Sequence, residues 1–344
     1  MYLVKPNVRL KEQINVNEQI ATCARICYGS KGVDSGLNNS EKDKELINRL
    51  IASGHLSTFR HATRYFIIGA KDYVPNDELL FLCYTISNNP YCQVVVGEDK
   101  SYYIVINQQT YFENSDWNKY LKDYEVSPKT FSLTYTGMFM LRFTFIITTQ
   151  ISTSREFNRK SPNSISEEST RYCCYSKDKF LNDVTICQPH WMDLFESLFT
   201  EYCIPEPNYI KYNGKDIIVY NKTIQDKIAI PLSEINIKVK KYNQRTAKCY
   251  LRYTYKQCCH YLSMLKNGMD PQDARGLLEL DTATTVAYTY SLTEWLHILG
   301  LRYYGITGAP HPNAKLIASM IRDKFIDLGY NVDHLIEDLF KIKI

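Results

Sequence analysis

Residues 154–172 are the most informative stretch of the chain and read SREFNRKSPNSISEESTRY. This stretch combines three arginines with a turn that is rich in serine and proline. Guanidinium groups match phosphate oxygens through paired hydrogen bonds, and the backbone N–H groups of such a turn add further donors. The composition therefore predicts either an anion-binding loop or an exposed loop whose charges pair with one another.

The residues immediately before this stretch are apolar and β-branched. Residues 138–148 read MFMLRFTFIIT, which predicts one long strand. Because functional loops often follow central strands, we expect the polar stretch to begin where this strand ends.

Helical and strand patterns alternate along the rest of the chain. The predicted helices lie near residues 40–53, 190–203, 245–266, 284–301 and 314–328. In the second of these helices we expect Trp191, Leu194, Leu198 and Phe199 to face inward. The predicted strands are residues 64–68, 92–96, 102–106, 217–220 and 228–239, with a hairpin turn at Asn213-Gly214. These elements predict a mixed α/β (α+β) fold in one domain, residues 1–344, with a β-rich insertion at residues 205–242.

Composition excludes several classes of protein. The chain has 344 residues, of which 44% are apolar, so it can build a sizeable core. Its 41 basic and 37 acidic residues nearly balance, which is not typical of a nucleic-acid-binding protein. No apolar run approaches the length of a membrane helix, and the N-terminus lacks the apolar core of a signal peptide. The eleven cysteines suggest reduced thiols. We therefore expect a soluble cytoplasmic protein without nucleic-acid or membrane partners. We also expect no metal site, because His55 and His61 lack a third ligand.

Three further blocks of sequence accompany residues 154–172 in a fixed order. Residues 54–62 read GHLSTFRHA, residues 271–278 read PQDARGLL, and His297 and Arg302 follow in a late helical pattern. The four blocks resemble the flavin-dependent thymidylate synthase (ThyX) family, the thymidylate synthase complementing proteins. The family signature ends in Ser-x-Asn/Ser-Glu-x-Ser-x-Arg-Tyr, which residues 164–172 match without a gap. The continuation YSKDKF, residues 175–180, resembles the long subgroup common in phages and some bacteria.

The resemblance implies both a fold and a reaction. The fold is a ThyX-type domain with a central, mostly antiparallel sheet flanked by helices. The reaction converts dUMP to dTMP, with 5,10-methylenetetrahydrofolate as the carbon donor and with FAD, reduced by NADPH, as the hydride source. Members of the family are homotetramers whose active sites are shared between subunits. A phage-encoded member would act in the host cytoplasm.

The resemblance also implies a nucleotide-binding set of residues. This set comprises Arg155, Glu156, Arg159, Glu167, Ser169, Thr170, Arg171, Arg275 and Arg302. The catalytic candidates within it are Arg302, Ser169 and Glu167, and Arg302 is placed to stabilise negative charge that develops on the uracil ring. Because a nucleoside monophosphate carries nearly two negative charges, Arg155, Ser169 and Arg171 suit its phosphate.

The implied flavin side of the site departs from the family pattern. Its residues are His55, Ser57, Arg60, Arg159, Lys160, Ser161, Ser291, Thr293 and His297. The family's Arg-His-Arg is Arg159-Lys160-Ser161 here, its Asn-x-Arg is Ser291-Leu292-Thr293, its early glutamate is Arg60, and a late proline is Glu279. Each lost charge-assisted hydrogen bond to a flavin pyrophosphate costs about 1.5–3 kcal/mol. Lys160 and Arg60 add positive charge, but a lysine does not reproduce the planar fork of an arginine.

Three functions remain open at this point. The chain is either a divergent flavin-dependent thymidylate synthase, or an enzyme that modifies a pyrimidine nucleotide without flavin, or an inactive homologue that binds nucleotides. Folate-dependent hydroxymethylation of dUMP or dCMP is an example of the second function. The three share the nucleotide-binding residues and differ in what the flavin side does.

Overall fold

The fold is known from a computed structural model, which describes residues 1–29, 40–69, 77–159, 164–205, 207, 209–220 and 227–341. The strands of these regions are β1 Tyr2–Val4, β2 Asn7–Lys11, β3 Thr63–Ile68, β4 Cys92–Val96, β5 Tyr102–Asn107, β6 Glu125–Val126, β7 Arg142–Gln150, β8 Ile165–Glu167, β9 Thr185–Cys187, β10 Met192–Asp193, β11 Tyr209–Tyr212, β12 Asp216–Tyr220, β13 Lys227–Pro231, β14 Lys238–Val239 and β15 Ala283–Ser291. The helices are α1 Val16–Cys27, α2 Ser40–Ala52, α3 Asp77–Ser87, α4 Gln108–Glu113, α5 Asn118–Leu121, α6 Pro128–Phe131, α7 Tyr135–Met140, α8 Ile151–Ser154, α9 Leu194–Tyr202, α10 Gln244–Lys266, α11 Pro271–Ala274, α12 Leu292–Leu299, α13 Pro312–Asp327 and α14 Val332–Phe340.

A four-stranded antiparallel sheet in the order β2-β7-β15-β8 lies at the centre of the fold. Strands β7 and β15 pair over nine residues each. Since successive side chains point to opposite faces, Phe145 and Tyr288 pack with helices α12–α14, whereas Ile146 and Ala287 contact α1 on the other face. The predicted fold class, a mixed α/β protein with a central antiparallel sheet flanked by helices, is therefore confirmed.

Aromatic side chains fill the layer between this sheet and helices α12 and α13. Trp295 is fully buried, its ring meets that of Phe145 edge to face at a centroid distance of 5.0 Å, and its Nε1 donates to the Phe143 carbonyl at 3.0 Å. Phe325 of α13 contacts Phe145 in the same way at 5.3 Å. Such pairs add to the area that they bury. They fix the helices that follow β15 against the sheet.

A second sheet, in the order β13-β12-β11-β1-β9, packs against α9 and α10. The predicted hairpin is present, because β11 and β12 pair antiparallel across Asn213-Gly214. Gly214 has φ +99°, and a Cβ there would lie 2.8 Å from the Tyr255 ring, so the turn requires glycine. Strand β11 also pairs with β1 at the N-terminus. That residues 205–242 form an insertion remains a prediction.

A third sheet, in the order β4-β5-β3-β6, joins the N-terminal blocks to residues 77–126. Helix α3 covers one of its faces through Leu79, Leu82 and Ile86. Strand β3 follows directly from a 3-10 helix, Leu56–His61, that contains most of the GHLSTFRHA block. This sheet therefore places the block beside β4 and β5, and the strands predicted at residues 92–96 and 102–106 are confirmed.

Four predicted elements are wrong in part. The strand predicted at residues 228–239 is two short strands, β13 and β14, because the chain turns after Pro231. Residues 283–291 form the strand β15 and not the first half of a helix 284–301, because they pair along their whole length with β7. Residues 138–140 belong to helix α7, whose N-cap Thr134 accepts a hydrogen bond from the Gly137 N–H, so the strand begins at Arg142. The helix predicted at 190–203 begins at Leu194. Phe199 is 55% exposed, because the buried face of this helix carries Leu194, Phe195, Ser197 and Leu198.

The described helices include none that is both long and apolar enough to cross a bilayer. All eleven cysteines are free, and six of them are buried.

Candidate functional site

A cleft of about 610 Å³ opens where the segment after β7 meets the turn after β8 and the segment after α11. Its lining comprises Ile151, Arg155, Glu167, Glu168, Ser169, Thr170, Arg275, Gly276, Leu278, Glu279 and Leu280. Five of the predicted nucleotide-binding residues are in this set: Arg155, Glu167, Ser169, Thr170 and Arg275. The structure thus brings together two blocks that lie about a hundred residues apart in the sequence.

The end of β7 positions Arg155. Strand β7 ends at Gln150, and the chain then turns through α8 into a 3-10 helix, Arg155–Phe157. The Ile151 N–H donates to the Thr282 carbonyl at 3.0 Å, and the Ser152 N–H donates to the Leu280 carbonyl at 3.1 Å. These bonds hold the start of the loop against the residues before β15. The expectation that the polar stretch begins at the end of a central strand is confirmed.

Glu167 is held in place by two hydroxyl groups. Its Oε1 accepts from Ser154 Oγ at 2.8 Å and from Thr284 Oγ1 at 3.1 Å. Because β8 pairs with β15, the backbone of Glu167 is fixed as well. The Glu167 carboxyl is therefore held in one orientation at the wall of the cleft.

The turn after β8 exposes donors on the other side of the cleft. The Ser169 N–H donates to the Cys27 carbonyl at 3.1 Å. Ser169 Oγ accepts from the backbone N–H groups of Arg171 and Tyr172 at 3.3 and 3.4 Å, which leaves its own hydrogen available to a ligand. The exposed side chain of Arg171 lies outside the cleft lining, and its Nε donates to Gln272 Oε1 at 3.3 Å. Arg171 thus joins this turn to α11, which leads to Arg275.

Arg302, Glu156 and Arg159 form a separate cluster. Arg302 lies on a π-helix, Gly300–Tyr304, and donates from Nε to the Glu156 carbonyl at 2.8 Å; its Nη2 is 2.9 Å from Glu156 Oε2. Arg159 Nη2 is 3.5 Å from the same oxygen. Burial lowers the pKa of Arg302, and the charge of Glu156 acts in the opposite direction. None of the three lines the cleft.

The predicted flavin-side residues of the early block point in different directions. His55 and Ser57 are exposed. Arg60 donates from Nε to Gln109 Oε1 at 2.7 Å, and its guanidinium lies 4.5 Å from the centre of the Tyr91 ring. The positive charge of Arg60 is therefore in contact with Gln109 of α4 and with Tyr91 in the turn before β4.

The late flavin-side residues have structural partners. Ser291 is buried and forms a capping box with Glu294 at the start of α12. Thr293 Oγ1 donates to the Phe139 carbonyl at 3.1 Å, and the His297 ring packs against Phe340. Lys160 and Ser161 lie outside the described residues.

A flavin pyrophosphate requires several cationic or N–H donors directed at one point. The described members of the predicted flavin side form no such cradle within one subunit, because Arg60 and Arg159 contact different partners and the polar groups of Ser291 and Thr293 are engaged. As they stand in one subunit, these residues do not fit the pyrophosphate.

His61 is a buried residue of the network between the layers, and it also lines a pocket of about 240 Å³ with Arg142 and Thr289. It is 1% exposed, with Nδ1 2.8 Å from Thr289 Oγ1 and Nε2 2.9 Å from Ser166 Oγ. Burial lowers its pKa to about 3, and the charges of Arg142 and Arg60 act in the same direction. The neutral imidazole therefore ties the early block to β15 and β8.

Two acidic residues of the cleft were not predicted. Burial raises the pKa of Glu168 to about 7 and also raises the pKa of Glu279. Glu168 follows Glu167 directly in residues 154–172, and Glu279 stands where the family pattern has a proline. The sequence alone does not place either residue on the cleft wall, because their positions there depend on the fold.

Comparison with known proteins gives one family match and two similar crystal structures. A family model described as thymidylate synthase complementing protein matches residues 9–72 and 131–326, about three quarters of the chain. Two crystal structures of a UMP/dUMP methylase, PolB from Streptomyces cacaoi, are similar at 14% identity. The one bound with 5-Br dUMP covers 95% of this chain and 92% of its own, with a TM-score of 0.38. The one bound with 5-Br UMP covers 98% and 96%, with a TM-score of 0.41. A search of curated protein sequences gave no significant match.

Proposed function

This chain belongs to the thymidylate synthase complementing protein family, and on that premise we propose that its cleft binds dUMP and that it catalyses the reductive methylation of dUMP to dTMP. The observation that carries the proposal is the lining of the cleft. Two guanidinium groups, Arg155 and Arg275, meet there with the hydroxyl groups of Ser169 and Thr170 and the carboxylate of Glu167.

The chemistry of this lining suits a pyrimidine nucleoside monophosphate. The exposed arginines can pair with phosphate oxygens, and the hydroxyl groups can donate to the same oxygens. The fixed carboxylate of Glu167 can accept a hydrogen bond from a sugar hydroxyl or from a ring N–H. A volume of about 610 Å³ lies within the usual range for small-molecule sites.

Beyond the nucleotide, the proposal rests on family membership. The carbon donor is 5,10-methylenetetrahydrofolate, and FAD reduced by NADPH would supply the hydride when bound. The described residues of the flavin side do not fit a flavin pyrophosphate. Arg302 is proposed to act on the pyrimidine ring, although its guanidinium pairs with Glu156 in one subunit. The proposed assembly is a homotetramer with shared active sites, acting in the cytoplasm.

A second function is favoured by the contacts on the flavin side. Ser291, Thr293 and Arg60 make internal bonds where the family pattern has flavin-side residues. An enzyme that modifies dUMP or dCMP without flavin, for example by folate-dependent hydroxymethylation, would keep the cleft and lose the flavin contacts. An inactive nucleotide-binding homologue would do the same without turnover.

One preparation separates these functions. The purified protein is mixed with excess FAD and desalted, and its flavin absorbance is measured with and without dUMP. It is then incubated with dUMP, methylenetetrahydrofolate and NADPH, and the nucleotide product is identified by mass spectrometry. Retained flavin together with dTMP would support reductive methylation. A hydroxymethylated product without flavin would support the second function, and dUMP binding without any product would indicate the inactive homologue. Failure to bind dUMP would overturn the assignment of the cleft.

A further inference from the structure

The pocket of about 240 Å³ that His61 lines lies where the central sheet meets the third sheet. The central sheet contributes Arg142 of β7 and Thr289 of β15, and the third sheet contributes Tyr65 of β3. None of the described residues that line this pocket lines the nucleotide cleft. Three of the four strands of the third sheet lie in residues 73–130, which the family match omits. The pocket therefore depends on a part of the chain to which the family assigns no role.

Arg142 is held at the wall of this pocket by three hydrogen bonds. Its Nη2 donates to Ser164 Oγ at 2.9 Å and to the Thr289 carbonyl at 2.8 Å, which uses both hydrogens of that nitrogen. Its backbone N–H donates to the Tyr65 hydroxyl at 3.1 Å. The Nε atom is enclosed and has no partner, and Nη1 makes no hydrogen bond with the described residues. Nη1 is therefore the nitrogen whose two donors are left to face the pocket.

Arg142 has no charged partner among the described residues, because its guanidinium forms no salt bridge with any of them. Lys11 is the other cation of the pocket lining, and its ammonium group is 2.8 Å from Glu18 Oε2. The carboxyl of the lining belongs to Glu12, which is exposed and lies beyond ion-pair distance. His61 is neutral, because burial, together with the charge of Arg142, lowers its pKa to about 3. The pocket thus holds one uncompensated positive charge.

Carboxylates of neighbouring elements are engaged by other groups. Glu125 of β6 pairs with Arg64 through both oxygens, at 2.8 and 2.9 Å, and Glu294 of α12 accepts from the Ser291 N–H at 2.8 Å. An arginine keeps its proton in proteins, so Arg142 carries its charge into a partly buried position. A buried charge without a counter-ion costs free energy that a bound anion recovers. The pocket is therefore the place where an external anion gains most from Arg142.

The walls of the pocket indicate which kind of anion it takes. Leu10, Leu141 and Phe143 give it apolar surface. A phosphate dianion is held by several cations or N–H donors, whereas this pocket offers one free guanidinium. We propose that the pocket binds a small organic monocarboxylate, whose carboxylate accepts hydrogen bonds from Arg142 Nη1 and whose apolar part packs against these three side chains. This second binding site is separate from the nucleotide cleft and does not depend on the proposed function.

Titration of the wild-type protein with carboxyl-labelled benzoate, followed by carbon NMR, tests the proposal. Benzoate combines one carboxylate with a compact ring, and benzamide has nearly the same shape without the charge. We expect saturable binding of benzoate with a Kd below about 1 mM and no binding of benzamide in that range. Saturating dUMP should leave the benzoate affinity unchanged. Equal binding of benzamide would overturn recognition of the carboxylate, and displacement of benzoate by dUMP would place it in the nucleotide cleft and overturn the second site.

Arg142→Gln removes the charge and should weaken benzoate binding by about 10- to 100-fold, the effect of losing a charge-assisted hydrogen bond. Arg49→Gln makes the same change at an exposed arginine of α2 and should leave the benzoate affinity unchanged. Wild-type affinity in Arg142→Gln would overturn the proposal. So would the absence of saturable binding of both benzoate and isobutyrate by the wild-type protein.

Glu12→Gln leaves Arg142 and its hydrogen bonds intact, so it decides the question if Arg142→Gln fails to fold. Removal of this exposed carboxyl should raise the benzoate affinity by about twofold to fivefold, since an exposed charge repels a monoanion weakly. Glu41→Gln changes an exposed glutamate of α2 and should bind benzoate as the wild type does. Unchanged or weaker benzoate binding by Glu12→Gln would contradict a carboxylate bound in this pocket.

Discussion

Replacement of Arg275 by alanine is expected to weaken dUMP binding about 100-fold, which corresponds to about 3 kcal/mol for a lost charge-assisted interaction with phosphate. Arg275 is one of two guanidiniums in a cleft lining that also holds three carboxyls. Its removal therefore costs the direct bonds and leaves the phosphate facing an excess of negative charge. Titration calorimetry at pH 7 measures the effect.

Two further variants test whether a loss of dUMP affinity in Arg275→Ala comes from the guanidinium group of Arg275. Arg275→Lys keeps the charge and loses the planar fork, so we expect a smaller loss, about tenfold. Arg49→Ala removes an exposed arginine from α2 that lines a different cleft, together with Arg25 and Lys42, and should leave dUMP affinity unchanged. The reverse result, loss with Arg49→Ala and none with Arg275→Ala, would move the nucleotide site to the cleft between α1 and α2.

The cleft could be predicted because its residues are concentrated in the sequence. Residues 154–172 carry Arg155, Glu167, Ser169 and Thr170, which line the cleft, whereas Glu156 and Arg159 of the same stretch pair outside it. Arg275 is about a hundred residues away, and only the family resemblance linked it to the loop. In the structure the connection is physical, since Arg171 reaches Gln272 of α11.

The central strand β15 was missed for a reason that lies in its burial. Residues 283–291, ATTVAYTYS, are buried on both faces of the sheet, so they show no alternation of apolar and polar side chains. The helical spacing of Leu292, Trp295, Leu296 and Leu299 follows without a break. Periodicity alone cannot separate such a strand from a buried helix, and the β-branched and aromatic composition was the remaining signal.

The fate of the flavin-side substitutions could not be read from the sequence. The family match omits residues 73–130, which include the Tyr91 and Gln109 partners of Arg60. A pattern derived from the family therefore gives no indication that Arg60 has these partners. Likewise, Ser291 could be recognised as a lost amide, but its capping box depends on where β15 ends and α12 begins.

Acidification is expected to destabilise the fold through His61, by about 3 kcal/mol between pH 7 and pH 4. Burial holds the pKa of His61 near 3, whereas an unfolded chain titrates near 6.5. Between these two values the unfolded state binds a proton that the native state does not bind. The free energy of unfolding therefore falls as the pH drops, by about 1.4 kcal/mol per unit, and the contribution is fully present above pH 6.5.

Urea unfolding at a series of pH values measures this slope, and His61→Gln isolates the contribution of one side chain, because the amide is neutral throughout and can still bond a hydroxyl. Glu168 shifts the free energy of unfolding in the opposite sense, since a carboxyl with a raised pKa stabilises the fold as the pH falls from about 7. The contribution of His61 is therefore the difference between the wild type and His61→Gln at each pH. The variant should lose less stability on acidification than the wild type, while the exposed His260→Gln should match the wild type. NMR titration gives a reading that needs no variant. Protonation of the His61 imidazole near pH 6 in the folded protein would contradict the buried neutral network of His61, Thr289 and Ser166.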